Sequence, residues 1–385
     1  MAVVKVETKQ IASFLNEAKK QYLGEENLVA EDLSNIADIG KALDSIDGAL
    51  IGTINNLALK VGLSIYVNRP YKSDTPNVFR TNVEYGQIVE KIRTKLPKAS
   101  INNSWGHVNG ASYDDNQYIE NEVQTKIFYE KLTYEVAKSF EDYQIKGAFK
   151  NPEEMGKFVS MLFTMVYNSL EVQRDALVMR TINNFAGEVR NGNKTTQNVK
   201  LLTMYNTLHG LVGNDALTAD TAIVNKDFLR YATAKIKHYK KAMTKYNTIF
   251  SLTGAENHTP SELQHLVLLD EFAENAFTYL SSDTFHDEFV AMPYHETVPF
   301  WQGTGDELDE ERDIKIAKTS SGATSITISN VIGVLFDHDA LGVFEDKPRT
   351  NTHEVKSADF TNYWFKQDAH YFNDLDEAFI LFTLE

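Results

Sequence analysis

Cysteine is absent from the 385-residue sequence. Its absence excludes disulfide bonds, thiolate zinc sites, iron–sulfur clusters and cysteine nucleophiles, so stability must come from packing and association. No apolar run approaches the roughly 20 residues that a membrane span needs, and the mean hydropathy is −0.35. The first residues also lack the basic segment, apolar block and small-residue cleavage site of a secretory signal. We therefore expect a soluble, cytoplasmically made chain with no membrane partner.

Familiar catalytic motifs are missing as well. The sequence has no phosphate-binding G-x-x-x-x-G-K-[ST] loop, no G-x-G-x-x-G after a strand and no G-x-S-x-G nucleophile turn. The segment HETVP at 295–299 begins like a zinc-protease helix but lacks the second histidine. We expect no cofactor, no bound metal and no enzymatic activity.

Positive charge is scarce, because 38 Lys and Arg face 54 Asp and Glu, for a formal net charge of −16. Such a balance argues against an ordinary nucleic-acid binder, whose affinity comes mainly from clustered cations. It fits a protein that surrounds DNA without gripping it, and it equally fits an acidic cytosolic enzyme. One predicted helix near 228–246 concentrates basic residues, and a solvated helix face is the favoured interpretation. These residues are Lys235, Lys237, Lys240, Lys241 and Lys245.

Three acidic or histidine-containing groups could suggest a metal or catalytic site. Neighbouring residues at a strand-to-turn junction point in different directions, so we expect a polar turn at 337–339. The run at 306–313 lacks the D-x-D-x-D-G spacing of a calcium loop, and a solvated charge run is the favoured interpretation. The histidine-containing groups are Asp337, His338 and Asp339, and His286, Asp287 and Glu288.

Apolar spacing predicts two helices near the N-terminus, over 9–23 and over 28–43. Both are short, and helices of this length are marginal alone in water. We therefore expect them to form an arm that is ordered against a neighbouring subunit.

Extended segments flank a long polar stretch at 97–120. The segment 61–96 and the β-favouring segment 123–136 would form the two sides of a hairpin-like loop that projects from the body. Long loops are usually functional, and exposed aromatic residues are suited to gripping a partner. The loop carries Trp105, Tyr113 and Tyr118.

The clearest helix signal begins at Asn151, a good N-cap, and Pro152, which suits the first helical position. Apolar residues then recur without proline until about residue 188, which predicts a helix on the order of 50 Å long. Further along, HLVLLDEF predicts a buried strand that opens into a helix. The segment TSITISNVIGVLF is rich in strand signals, and a turn at Asn373 and Asp374 precedes a final apolar strand.

The C-terminal part of the sequence resembles the C-terminal end of tailed-bacteriophage major capsid proteins with the Hong Kong 97-like fold. The resemblance lies in ISNVIGVLFDHDALGVF, a polar loop and then FTNYWFKQDAHYFNDLDEAFILFTL. In that family a return strand leaves one domain, and the chain stops soon after an apolar strand. Residues 331–336, 363–372 and 378–384 would fill these places.

The resemblance implies an α+β fold of interleaved peripheral and axial domains. Its parts would be an N-terminal arm (1–60), a peripheral domain (61–190) with an extended loop (about 92–133) and a spine helix (about 152–188), an axial domain (191–330), and a return to the peripheral domain (331–385).

It also implies a structural subunit that self-assembles as pentamers and hexamers into an icosahedral shell around double-stranded DNA, without sequence-specific DNA binding. Scaffolding and portal proteins would be partners, assembly would take place in the host cytoplasm, and the protein would reside in the virion. We expect inter-subunit contacts at Trp105, Tyr113 and Tyr118 in the loop and at Phe14 and Leu15 in the arm.

Two alternatives remain open at the level of sequence. One is an encapsulin-like nanocompartment shell with the same architecture, which only its cargo would distinguish. The other is an acidic cytosolic metal-dependent hydrolase that uses His338 and the carboxylates at 306–313.

Overall fold

The computed structural model describes most of the chain from residue 8 to residue 385. The described residues are 8–23, 28–46, 49, 52–53, 76–78, 89–96, 99, 101, 106, 108–110, 120, 122–141, 146, 149–150, 152–281, 292–301, 312–317, 325–346 and 348–385.

Helix α1 (Thr8–Leu23) forms where it was predicted, and helix α2 (Ile36–Asp44) follows it. We call these two helices the arm; the sequence predicted that a neighbouring subunit orders them, but here they pack on their own chain. The second helix starts eight residues later than predicted, because asparagine side chains form hydrogen bonds with the backbone N–H and C=O groups of the preceding segment. Asn16 exchanges two hydrogen bonds with the backbone of Val29, at 2.8 and 3.1 Å. Asn35 accepts from Ala30 N–H at 2.9 Å and donates to the Leu28 carbonyl at 2.8 Å. Such local bonds compete with helix formation.

The predicted hairpin flanks are an antiparallel pair of strands, β1 (Val89–Thr94) and β2 (Val123–Phe128). Their register runs from Val89 opposite Phe128 to Thr94 opposite Val123. We call this pair the ribbon. Strand β3 (Lys131–Glu141) follows after only two residues and joins the body of the protein.

The long helix α3 (Pro152–Gly192) starts at the predicted proline and, at 1.5 Å per residue, spans about 60 Å. It continues four residues past the predicted end and passes through Gly187. A Cβ atom on Gly187 would lie 2.3 Å from Cδ1 of Ile316. This glycine therefore lets another segment approach closely instead of ending the helix.

A five-stranded sheet holds the centre of the molecule, in the order β4-β13-β9-β5-β6. Strand β9 is buried along its whole length, as a strand covered on both faces should be. The predictions of a buried strand at HLVLL, of a strand at 331–336 and of a final apolar strand are confirmed. The bounds are β4 Asn198–Lys200, β5 Gln264–Leu269, β6 Glu296–Val298, β9 Val331–Asp337 and β13 Phe379–Thr383.

A second sheet is centred on strand β12, which pairs with β3 along one side and with β10 and β11 in tandem along the other. A separate two-stranded pair, β7 with β8, contains Ile316 and lies against α3. The bounds are β7 Ile314–Ala317, β8 Ser325–Ile328, β10 Leu341–Glu345, β11 Arg349–Val355 and β12 Phe360–Asn373.

Four further helices pack around the five-stranded sheet. Side chains cap two of them: Thr218 forms a capping box with Thr221, and Asn225 accepts from Phe228 N–H at 3.0 Å. The predicted helices at 228–246 and after HLVLL are confirmed. The bounds are α4 Leu201–His209, α5 Ala219–Ile223, α6 Lys226–Met243 and α7 Asp270–Ser281.

Buried apolar residues form two clusters, and helix α3 runs through both. The larger cluster joins the C-terminal half of α3 to the five-stranded sheet and its helices. The smaller cluster joins the arm to the N-terminal half of α3 and to strands β3 and β12. No helix in the described part of the chain combines the length and hydropathy that a bilayer crossing requires.

Candidate assembly interface

The ribbon presents two chemically different faces. Side chains alternate between the faces of a strand, and the exposure of β1 alternates in this way. On the outward face, Ile92, Val123 and Ile127 are 64%, 56% and 57% exposed. Single exposed apolar residues are ordinary, but three neighbouring ones on one face of a two-stranded ribbon form an apolar patch suited to a partner. Glu90, Thr94 and Thr125 share that face and border the patch.

The inward face of the ribbon carries Lys91, Arg93 and Lys126. Lys91 and Lys126 lie directly opposite each other in the strand register, and Arg93 lies two residues along on the same face. All three point at the turn between β12 and β13 and bind its carboxylates. We call Asp374, Asp376 and Glu377 the acidic turn.

Each cation of the ribbon binds at least one carboxylate of the acidic turn. Lys91 Nζ lies 2.8 Å from Asp374 Oδ2 and 2.5 Å from Glu377 Oε1. Arg93 Nη2 lies 2.7 Å from the same Glu377 oxygen. Lys126 Nζ lies 2.9 Å from Asp374 Oδ1 and also pairs with Asp376. Three cations and three carboxylates thus form one charge-compensated cluster.

The body of the protein fixes the acidic turn in place. Asp374 N–H donates to the Ala340 carbonyl at 2.7 Å, and Thr253 Oγ1 donates to Asp376 Oδ1 at 2.5 Å. Asn257 donates to the Asp376 carbonyl at 2.9 Å. All three acidic residues are buried. Buried carboxylates need charged or hydrogen-bonding partners, and the ribbon's cations bind all three carboxylates of the turn.

The pKa values of the cluster agree with this pairing. Burial alone would raise the pKa of Asp374, but hydrogen bonds from Lys91 and Lys126 outweigh it, so its pKa lies below the ordinary 3.8. For Lys126, burial would lower the pKa, but hydrogen bonds to Asp376 and Asp374 raise it above 10.5. Both groups therefore stay charged well beyond the neutral range.

Two further contacts flank the cluster. The rings of Phe128 and Phe372 lie 5.1 Å apart, which joins the base of the ribbon to β12. At the other end, Lys95 pairs with Glu122 and closes the ribbon before the polar loop.

The structure places the sequence-predicted contact residues in different situations. Trp105, Tyr113 and Tyr118 lie outside the described residues. Phe14 lies in α1, but its side chain is outside the described part. Leu15 is 1% exposed and belongs to the smaller apolar cluster, so its described contacts are with its own chain. Inter-subunit contact at these five positions stays a prediction.

Sequence reasoning missed both faces of the ribbon. The signal that could have found them is the alternation in VEKIRT and VQTKIF, which places the three cations on one face and the exposed Ile92, Val123 and Ile127 on the other. The acidic turn, DLDE, was interpreted only as a chain reversal.

The group at 337–339 diverges, as expected for a strand-to-turn junction. Asp337 accepts from Thr259 Oγ1 at 2.5 Å and from Asp339 N–H at 2.7 Å, which caps the turn. His338 Nδ1 instead lies 2.9 Å from Nε2 of His265. Within the described residues, no group of three or more His, Asp and Glu is arranged to hold a metal ion.

The other two acidic groups fall mainly outside the described residues. This applies to 286–288 and to 306–311. Of the acidic run, Asp313 is described, and it accepts from Asn330 N–H at 3.0 Å and from Ser329 Oγ at 3.2 Å. It caps the turn between β8 and β9.

The basic concentration on α6 is partly engaged by its own chain. Lys240 Nζ donates to the Tyr294 carbonyl at 3.3 Å, and burial lowers its pKa. Lys235 Nζ lies 5.4 Å from the ring centroid of Tyr231. The helix face is therefore less uniformly solvated than the sequence suggested.

The fold is shared with phage capsid proteins. A search of solved structures matches the capsid structure of Staphylococcus phage Andhra with a TM-score of 0.52 at 10% identity, covering 82% of this chain and 86% of that one. It also matches a chain in the structure of head fiber and inner core protein gp22 of native bacteriophage P68, with a TM-score of 0.50 at 9% identity, covering 82% and 88%. The architecture is the Hong Kong 97-like α+β fold of capsid subunits.

A model of the Phi29-like phage major capsid protein family matches residues 11–383, and the chain belongs to that family. A search of curated protein sequences gives no match. As a member of this family, the chain is a structural subunit of a phage capsid. Oligomeric assembly and a place in the virion follow from that membership.

Proposed function

We propose that the chain assembles as pentamers and hexamers into an icosahedral shell that encloses double-stranded DNA, and that it catalyses no reaction. The observation that best supports assembly is the outward face of the ribbon. It exposes Ile92, Val123 and Ile127 while the charged inward face is bound to the body. A patch that is apolar, exposed on the ribbon and adjacent in sequence to the polar loop is suited to a neighbouring subunit.

The loop and the arm extend the proposed interface. Trp105, Tyr113 and Tyr118 would add aromatic contacts beyond the ribbon, since aromatic residues are enriched in interface cores. Phe14 would let the arm contact a neighbouring subunit, and Leu15, buried against its own chain, would hold the arm in place for that contact. The net charge of −16 would let enclosed DNA slide, because few cations are available to replace its counterions. Scaffolding and portal proteins would be partners during assembly in the host cytoplasm.

Electron microscopy and sedimentation of the purified chain test the proposal, alone and after coexpression with scaffolding and portal proteins of the same phage. We expect pentamers, hexamers, sheets or closed shells, and more uniform shells with the scaffold. A chain that stays monomeric in every condition would contradict the proposal. Particles filled with a cargo enzyme instead of DNA would favour a nanocompartment.

A further inference from the structure

The ribbon needs contacts with the body to keep its orientation. An isolated two-stranded ribbon is marginally stable in water. The ribbon is continuous with β3 through Tyr129 and Glu130, which are both exposed. Two exposed residues are a short connection about which the ribbon could rotate, so noncovalent contacts must fix its angle.

Charge decides which face of the ribbon turns outward. The inward face carries the three cations and the outward face carries Ile92, Val123 and Ile127. Turning the ribbon over would leave the buried carboxylates of the acidic turn without cations and would press apolar side chains against them. Since unpaired buried charges are costly, the observed orientation is strongly favoured.

We propose that the Lys91, Arg93 and Lys126 cluster with Asp374, Asp376 and Glu377 is an electrostatic latch. It acts within one chain, sets the angle of the ribbon and presents the apolar face to a second copy of the protein. This inference rests on the proposed function, because the occupant of the apolar face is another subunit. It adds the device that prepares the subunit for that contact.

We expect ionic strength to affect the latch, although less than it affects an exposed ion pair. The side chains of its cations are 25–37% exposed, so salt reaches them, whereas the carboxylates are shielded. High salt should therefore weaken the ribbon's attachment gradually. Assembly of the wild-type chain should slow as the salt concentration rises, even though the apolar contact itself is strengthened by many salts.

Three variants isolate the latch. The ribbon variant carries Lys91→Gln, Arg93→Gln and Lys126→Gln, and the turn variant carries Asp374→Asn, Asp376→Asn and Glu377→Gln. The control carries Lys41→Gln, Lys138→Gln and Lys356→Gln, which removes the same charge as the ribbon variant from exposed positions outside the ribbon and the acidic turn.

Hydrogen–deuterium exchange in the dilute, unassembled chain gives the first measurement. Loss of the latch should raise exchange of amides in 89–94 and 123–128 by about tenfold or more in both latch variants. The control should keep wild-type exchange. Protection of these amides in the wild type should not depend on protein concentration, because the contact lies within one chain. Unchanged exchange in the ribbon variant, which leaves the body intact, would overturn the latch.

Mixing the two latch variants gives the second measurement. A contact within one chain stays broken in both, so light scattering should show the mixture assembling as slowly as each variant alone. If the contact formed between subunits, intact ribbons on turn variants would meet intact acidic turns on ribbon variants, and the mixture would assemble faster. Such rescue would overturn the latch. A wild-type chain that never assembles would contradict the proposed function, while the exchange measurement would still decide the latch.

Discussion

At the scale of single residues, Arg174 is a cation buried between helix α3 and strand β10. It is 4% exposed and binds Glu345 twice, through Nε at 3.1 Å and Nη2 at 2.7 Å. Its Nη1 also donates to Glu171 at 3.2 Å. Replacing it by alanine leaves Glu345 and Glu171 without this cation. We expect Arg174→Ala to lower the free energy of unfolding by about 3–5 kcal/mol, measured by urea denaturation of the unassembled chain.

Arg230→Ala is the matched control for that substitution. Arg230 is also a helical arginine with an acidic residue three positions earlier, but Asp227 is exposed and 3.9 Å away. The expected cost is below about 1 kcal/mol. Equal losses in the two variants would mean that burial of Arg174 does not matter.

Acid should protonate Asp374, and so break its ion pairs with Lys91 and Lys126, only at low pH. Its pKa lies below 3.8, because bonds from Lys91 and Lys126 outweigh burial. A lowered native pKa stabilises the fold above the unfolded value, and this contribution disappears as pH falls through the native value. The difference in thermal stability between wild type and Asp374→Asn should therefore be constant from about pH 5 to 8 and shrink below about pH 4. A difference that already shrinks near pH 6 would contradict this pairing.

At the scale of elements, two glycines fill different roles. A Cβ on Gly333 in β9 would meet the Val267 carbonyl oxygen at 2.9 Å and Leu268 Cδ2 at 2.5 Å, and the backbone of β5 cannot move aside. We expect Gly333→Ala to cost about 1–3 kcal/mol. In Gly187→Ala the new methyl meets only the end of the Ile316 side chain, which can rotate, while alanine favours the helix by about 1 kcal/mol. That variant should stay within about 1 kcal/mol of wild type in the same denaturation measurement.

The same elements show how far local sequence signals extend. The start of α3 was predictable because Pro152 marks it locally. Its end was not predictable, because Gly187 looks like a helix stop but lies inside the helix, where it makes room for Ile316. That residue lies 129 positions later in the sequence. The late start of α2 depends on Asn16 and Asn35, whose side chains choose backbone partners that periodicity does not reveal.

At the scale of the whole molecule, the capsid architecture could be inferred from element order, but the latch could not. Lys91 and Glu377 are separated by 286 positions, and only the folded sheet brings them together. Charge runs such as DLDE are usually solvated, so the sequence alone favoured an ordinary turn. The sequence directed attention to the loop aromatics, whose role stays a prediction, while the described apolar surface lies on the two strands that flank the loop.

The apolar face of the ribbon should matter for assembly and not for the stability of the single chain. Ile92 and Ile127 are largely exposed in the subunit, so Ile92→Ser with Ile127→Ser removes little buried area there. Between subunits the same side chains would lose their contact with water. We expect unfolding within about 0.5 kcal/mol of wild type, together with at least a tenfold slower formation of shells in light scattering. Thr125→Ser, on the same face, is the control and should assemble normally. Normal assembly of the isoleucine variant would show that neighbouring subunits meet elsewhere on the chain.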